Sequence, residues 1–129
     1  MKFKALILTG LAGIALSACT SQPTIPQLQL GVLQEVQNLE VYPETKNNKA
    51  KLTKFNDKCV IEFTGNLENS HVVEQWTFKG LTLMDAGSAT FQRDNTSTAQ
   101  KFDLYNPTTQ KNFLALRHHF AKEAIEQCN

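Results

Sequence analysis

Cys59-Val60-Ile61-Glu62-Phe63-Thr64 alternates apolar and polar side chains, which places Cys59, Ile61 and Phe63 on one face of an extended chain. Residues 72–79 repeat the pattern, with Trp76 and Phe78 on one face and Gln75 and Thr77 on the other. Residues 65–70, between them, are turn material. The alternation continues downstream. Gly80 reads as a bulge or bend, because Leu81-Thr82-Leu83 resumes directly after it. Asp85-Ala86-Gly87 reads as a turn, and Ala89, Phe91 and Arg93 then alternate with Ser88, Thr90 and Gln92. Residues 94–98 form another polar turn, after which Phe102 and Leu104 alternate with Lys101, Asp103 and Tyr105. Short half-apolar strands joined by short turns predict an antiparallel meander of four to five strands with one wet face.

A helix follows. Asn106 is a good N-cap and Pro107 is tolerated at the first helical position. At about 100° per residue, Phe113, Leu114, Leu116, Phe120, Ala121, Ala124, Ile125 and Cys128 span about half the circumference of one helix reaching about Gln127. A stripe that wide packs on a sheet. Cys128 lies on that stripe, and Cys59 shares its strand face with Ile61 and Phe63, so both sulfurs point into one core. The expected fold is therefore α+β: a meander, a C-terminal helix packed on one face, and one disulfide between Cys59 and Cys128. Closing a loop of about 70 residues contributes about 4 kcal/mol in the chain-entropy view. A free catalytic thiol is the competing reading, and an oxidising compartment would oppose it.

Upstream the pattern is mixed. Leu28, Leu30 and Val32 alternate like a strand, whereas Val32, Val36 and Leu39, with Leu33 beside them, recur at helical spacing; the reading favours a short helix over residues 32–39 and a brief extended piece at Val41-Tyr42. Residues 43–51 read as a polar, turn-rich loop. Residues 20–26 carry two prolines among polar residues and read as an extended tether.

At the start, Lys2 and Lys4 precede an apolar run from Ala5 to Leu16, and Leu16-Ser17-Ala18-Cys19 closes it. The run is shorter than the about 20 apolar residues that span a bilayer. A charged head, a short apolar run and small residues make a secretory signal. Leu16-Ser17-Ala18-Cys19 resembles the lipobox of bacterial lipoproteins, and an ordinary signal with Cys19 there by chance is the alternative. The resemblance implies cleavage after Ala18, diacylglycerol on the Cys19 sulfur and an acylated new amino group. Thr20 in place of an aspartate implies the outer membrane, with the domain facing the periplasm. The resulting division is a signal peptide over 1–18, an acylated N-terminus and tether over 19–27, and a single small α+β domain over 28–129.

Without Lys2 and Lys4 the chain carries 11 basic and 12 acidic side chains, interspersed along its length. No basic stripe marks a nucleic-acid surface, and no basic amphipathic helix marks a membrane surface. With Cys19 assigned to lipid, the remaining two of the three cysteines form an even pair.

Candidate chemistry is sparse. His118 and His119 are neighbours rather than an i, i+4 pair, and His71 opens a strand, so no metal site is expected. Arg117 falls inside the apolar arc. Its stem packs on the sheet while its head reaches water, or it pairs with an inward Glu74 or Asp85, or it anchors a ligand. Ala86-Gly87-Ser88-Ala89-Thr90 is not a nucleophile elbow, and neither a phosphate loop nor a C-x-x-C motif occurs. Trp76 reads as core. No catalytic residue and no cofactor is expected. The sequence points to a non-enzymatic lipoprotein whose exposed sheet face, with Gln75, Thr77, Lys101 and Arg117 as candidate contacts, binds an envelope protein as an accessory or assembly subunit. Inhibition of a periplasmic or foreign hydrolase such as lysozyme is the alternative, although the S-G-x-x-Y-type loop of one lysozyme-inhibitor family is absent. Carriage of a small apolar ligand is a third class.

Overall fold

The computed structural model describes residues 30–129. The signal peptide, the cleavage point after Ala18, the lipidated Cys19 and the tether lie outside the described residues. The described chain forms a six-stranded antiparallel sheet in simple sequence order: β1 (Gly31–Gln37), β2 (Lys46–Lys54), β3 (Cys59–Asn66), β4 (Ser70–Lys79), β5 (Thr82–Gln92) and β6 (Ser97–Lys101). Two helices follow, α1 (Pro107–His118) and α2 (Lys122–Glu126). The meander and the C-terminal helix on one face agree with expectation. The strand count is six rather than four to five.

Both additional strands come from upstream. Residues 32–39, expected to be helical, are mostly β1, whose pairing with β2 shifts between Val32 and Gln34. That bulge breaks the alternation: Leu33 and Val36, three apart, both pack on the core while Val32 is exposed, a spacing that imitates a helix. Most of the expected loop at 43–51 belongs to β2. Its lysines Lys49 and Lys51 face away from the helices, opposite Thr64 and Glu62, whereas Asn48, Ala50, Leu52 and Lys54 are buried on the other face. Only two of those four inward residues are apolar, so a buried strand read as polar chain.

Downstream, the expected turn at Asp85-Ala86-Gly87 lies inside β5. The hairpin instead turns at Gly80-Leu81, where Gly80 takes φ +60, a conformation that favours glycine. Phe102 and Leu104 come after the last strand rather than in it, and both pack on the core.

The core lies between the sheet and the helices. Ile61, Phe63, Trp76 and Phe78 from the sheet meet Phe113, Leu116, Phe120 and Ile125. The Phe113 ring stands edge-on to Phe78 at 5.1 Å and lies 6.3 Å from Trp76. Asn106 caps α1 as expected, its side-chain oxygen accepting from the Thr108 N–H at 2.8 Å. The single long helix is corrected to two. After His118 the chain breaks, and the Ala121 N–H is taken by the Gln34 side-chain oxygen of β1 at 2.8 Å. Leu114, expected on the apolar stripe, is exposed, and beyond the break Cys128 meets Cys59. The disulfide is formed, with Cα atoms 5.7 Å apart.

Asn48 holds the turn from β1 into β2. Its amide accepts from the Leu39 N–H at 2.6 Å and donates to the Leu39 carbonyl at 3.0 Å, in place of a strand neighbour. Asn48→Ala leaves both buried backbone groups unpaired. It should cost about 2 kcal/mol and lower the thermal midpoint by about 10 °C in calorimetry. A midpoint unchanged within about 2 °C would mean that water replaces the amide.

Candidate functional site

The strand period gives the sheet two unlike faces. Away from the helices, Glu35, Lys51, Glu62, Gln75, Gly87 and Lys101 stand in one row across six strands. Towards β1 this face is charged, and the Lys51–Glu62 pair at 4.0 Å is exposed and contributes little. Towards β6 it becomes small and apolar. Val73, Gly87, Ala89 and Ala99 floor a depression of about 440 Å³, walled by Phe91, Gln75 and the Asp85–Lys101 pair. Lys101 donates to Asp85 at 2.8 Å, and this hydrogen bond holds the Asp85 carboxyl below the ordinary carboxylate range. At one end the His71 ring stacks on Phe91 at 4.9 Å.

Gly87 makes the floor possible. A methyl group there would stand 2.8 Å from the Gln100 carbonyl oxygen, so any side chain would push β6 away from β5. The free edge of β6 borders the depression. The Phe102 N–H donates to the Ala86 carbonyl at 3.0 Å, which makes the even-numbered residues the ones bonded to β5. The N–H and C=O groups of Ser97, Ala99 and Lys101 therefore point outward from the sheet, and all of β6 is exposed.

Of the four candidate contacts, Gln75 and Lys101 line the depression, and Thr77 lies on the same face, opposite Asp85. Arg117 is on the other side of the molecule. Its Nε donates to the Gly80 carbonyl at 3.2 Å, tying the end of α1 to the β4–β5 turn. It pairs with neither Glu74 nor Asp85, whose own partners are Trp76 and Lys101. His118 and His119 are exposed, and among the described residues no group of three or more His, Cys, Asp or Glu side chains could hold a metal ion.

The helix face holds Glu74, inward as the sequence suggested but without the Arg117 pairing considered for it. Glu74 shares the parity of Val72, Trp76 and Phe78 and is buried among them, with 6% of its surface exposed. One carboxyl oxygen accepts from the Trp76 indole N–H at 3.1 Å. Burial raises its pKa from 4.5 to about 7, and the indole hydrogen bond opposes that rise only in part. The carboxyl borders a crevice of about 80 Å³ shared with Tyr42, Trp76, Phe102, Thr109 and Asn112. The parity of Glu74 was the available signal. The rest of the crevice comes from segments distant in sequence.

A raised acid pKa has a definite sign. Below 4.5 both the folded and the unfolded chain hold the Glu74 proton, and its contribution to stability is complete. Between 4.5 and about 7 only the folded chain keeps it, so stability falls as pH rises through that window. The expected loss is about 3 kcal/mol, and Glu74→Gln should abolish it. Urea unfolding of both proteins across the window checks this. A difference between them that stays flat with pH would place the folded carboxyl at its ordinary pKa.

Comparison with protein families, curated proteins and solved structures finds no family model, protein or structure that matches this chain.

Proposed function

We propose that this chain is a lipid-anchored protein of the bacterial cell envelope, held in the outer membrane through Cys19, that binds a protein partner as an accessory or assembly subunit of an envelope complex. The observation that carries the binding half of this reading is the depression on the open face beside the unpaired edge of β6. An extended segment of a partner laid along β6 would meet the outward N–H and C=O groups of Ser97, Ala99 and Lys101. One of its side chains would drop onto Gly87, Ala89 and Ala99. Main-chain bonds supply affinity in such strand addition, and the pocket supplies selection. The membrane half rests on Leu16-Ser17-Ala18-Cys19. Two or three acyl chains, at about 0.8 kcal/mol per buried CH₂, hold a domain permanently at the bilayer. Confinement to that surface raises the effective concentration of a partner in the same membrane, so modest affinity suffices.

Two measurements test the two halves. Cys19→Ala should move the protein from the membrane fraction to the soluble fraction and abolish labelling by a fatty-acid probe. Photocrosslinking in cells from Gln75, Thr77 and Lys101 should yield one reproducible protein adduct, absent when the crosslinker replaces Arg117 on the opposite side. A hydrolase as that adduct would convert the reading to inhibition. No adduct from the three open-face positions, or an equal one from Arg117, would remove the open face as the interface.

A further inference from the structure

The crevice at Glu74 lies on the opposite side of the sheet from the proposed partner surface and is independent of that reading. Its construction is specific. One Glu74 oxygen is engaged by Trp76, and no described residue donates to the other. No buried side-chain oxygen or nitrogen lacks a partner among the described residues, so the second oxygen must open onto the crevice. Thr109 and Asn112, one helical turn apart on α1, line the same space, and their side chains have no protein partner among the described residues. Trp76 and Phe102 form an aromatic corner, with ring centroids 5.2 Å apart and planes at 47°. Tyr42, 74% exposed, stands at the mouth.

We propose that this crevice binds the head of a small primary amine as its alkylammonium ion. Such a head has three N–H donors and no acceptor. The crevice offers three acceptors in return: the Glu74 carboxylate, the Thr109 hydroxyl and the Asn112 amide oxygen. The aromatic corner suits a cation and the methylene beside it. The volume of about 80 Å³ corresponds to two or three water molecules at about 30 Å³ each, room for the head and its first carbon. A quaternary ammonium has no N–H to satisfy these acceptors. A carboxylate or phosphate would meet Glu74 with like charge.

Among the described residues, the groups that face Glu74 carry no competing cation. Its neighbours across the sheet are Phe63 and Ser88, α1 contributes Thr109 and Asn112, and the Tyr42 phenol is the one other ionisable group lining the crevice. The ammonium therefore binds the ionised carboxyl, and where Glu74 is protonated its proton leaves to solvent on binding. With the carboxyl titrating near 7, affinity should rise about tenfold from about pH 6 to about pH 8.

Trp76, the only tryptophan of the chain, reports on the site directly. The full-length protein in non-ionic detergent would be titrated with butylammonium chloride, following Trp76 fluorescence against sodium chloride at equal ionic strength. A saturable change on the order of 1 mM is expected. It should tighten with pH as stated, be at least about tenfold weaker with tetramethylammonium, and disappear in Glu74→Gln. Asn112→Ala should weaken it several-fold without altering the pH dependence, and Gln75→Ala on the open face should leave it unchanged. Short-chain phosphatidylethanolamine binding more tightly than butylammonium would assign the amine to a lipid headgroup; equal or weaker binding would assign it to a free amine. A response shared by sodium or tetramethylammonium, one independent of pH, or one retained in Glu74→Gln would overturn the proposal.

Discussion

The bond between Cys59 and Cys128 is the constraint on which the rest of the domain depends. It joins the first residue of a central strand to the last turn of the chain, 69 residues away. In the chain-entropy view a loop of that length removes about 4 kcal/mol of unfolded-state freedom, a large part of the about 5–15 kcal/mol that a domain holds in total. The helices need that restraint. At twelve and five residues, α1 and α2 are too short to persist alone in water. Three further ties surround the bond: Gly80 N–H to the Cys128 carbonyl at 2.7 Å, Arg117 to the Gly80 carbonyl, and Ala121 N–H to Gln34. The end of the chain is thus fastened to β1, β3 and the β4–β5 turn together.

This fastening decides which face of the sheet becomes core. Phe113, Leu116, Phe120 and Ile125 cover β2 to β5 and leave β6 to solvent. Two consequences follow from one geometry. Under the helix, Glu74 is withdrawn from water far enough to hold its proton near neutrality. On the uncovered side, Gly87 lets β6 approach β5 closely next to an edge with free backbone groups. Burying an acid lowers stability at neutral pH, whereas an exposed edge risks unwanted pairing. The edge is short, at five residues, and ends in Lys101, both of which restrain that pairing.

The centre of the fold was legible in the sequence and its flanks were not. β3 and β4 announce themselves because every inward residue from Cys59 to Phe63 is apolar, and because Trp76 and Phe78 share a parity. The disulfide followed from that parity and the helical stripe taken together, and Asn106 from its own capping chemistry. Beyond these, long-range contacts override the local pattern. The bulge in β1 disguises its alternation. Asn48 serves as an inward residue of β2 because it bonds the Leu39 backbone, which no periodicity reveals. The Ala121 N–H beyond the end of α1 is taken by Gln34, 87 residues away. At the open face, parity correctly placed Gln75, Thr77 and Lys101 together, but smallness at Ala86-Gly87 was read as a turn when it marks close packing against β6.

Gln75 and Glu74 show how far one strand separates the two candidate surfaces. They are neighbours in sequence, yet the period of two sends one to the open depression and the other to the crevice under α1. Coupling between them would need an element with two stable arrangements. β4 is a poor candidate for one, because it is paired to β3 from His71 to Phe78 and to β5 from Ser70 to Lys79 and is closed at its far end by the Gly80 turn that Arg117 and Cys128 hold. A charge change at Glu74 can move electric potential through the sheet but has no hinge to move. The fold therefore carries two surfaces that act separately: one suited by its edge to a long extended partner, the other by its depth and its acceptors to a single small head group.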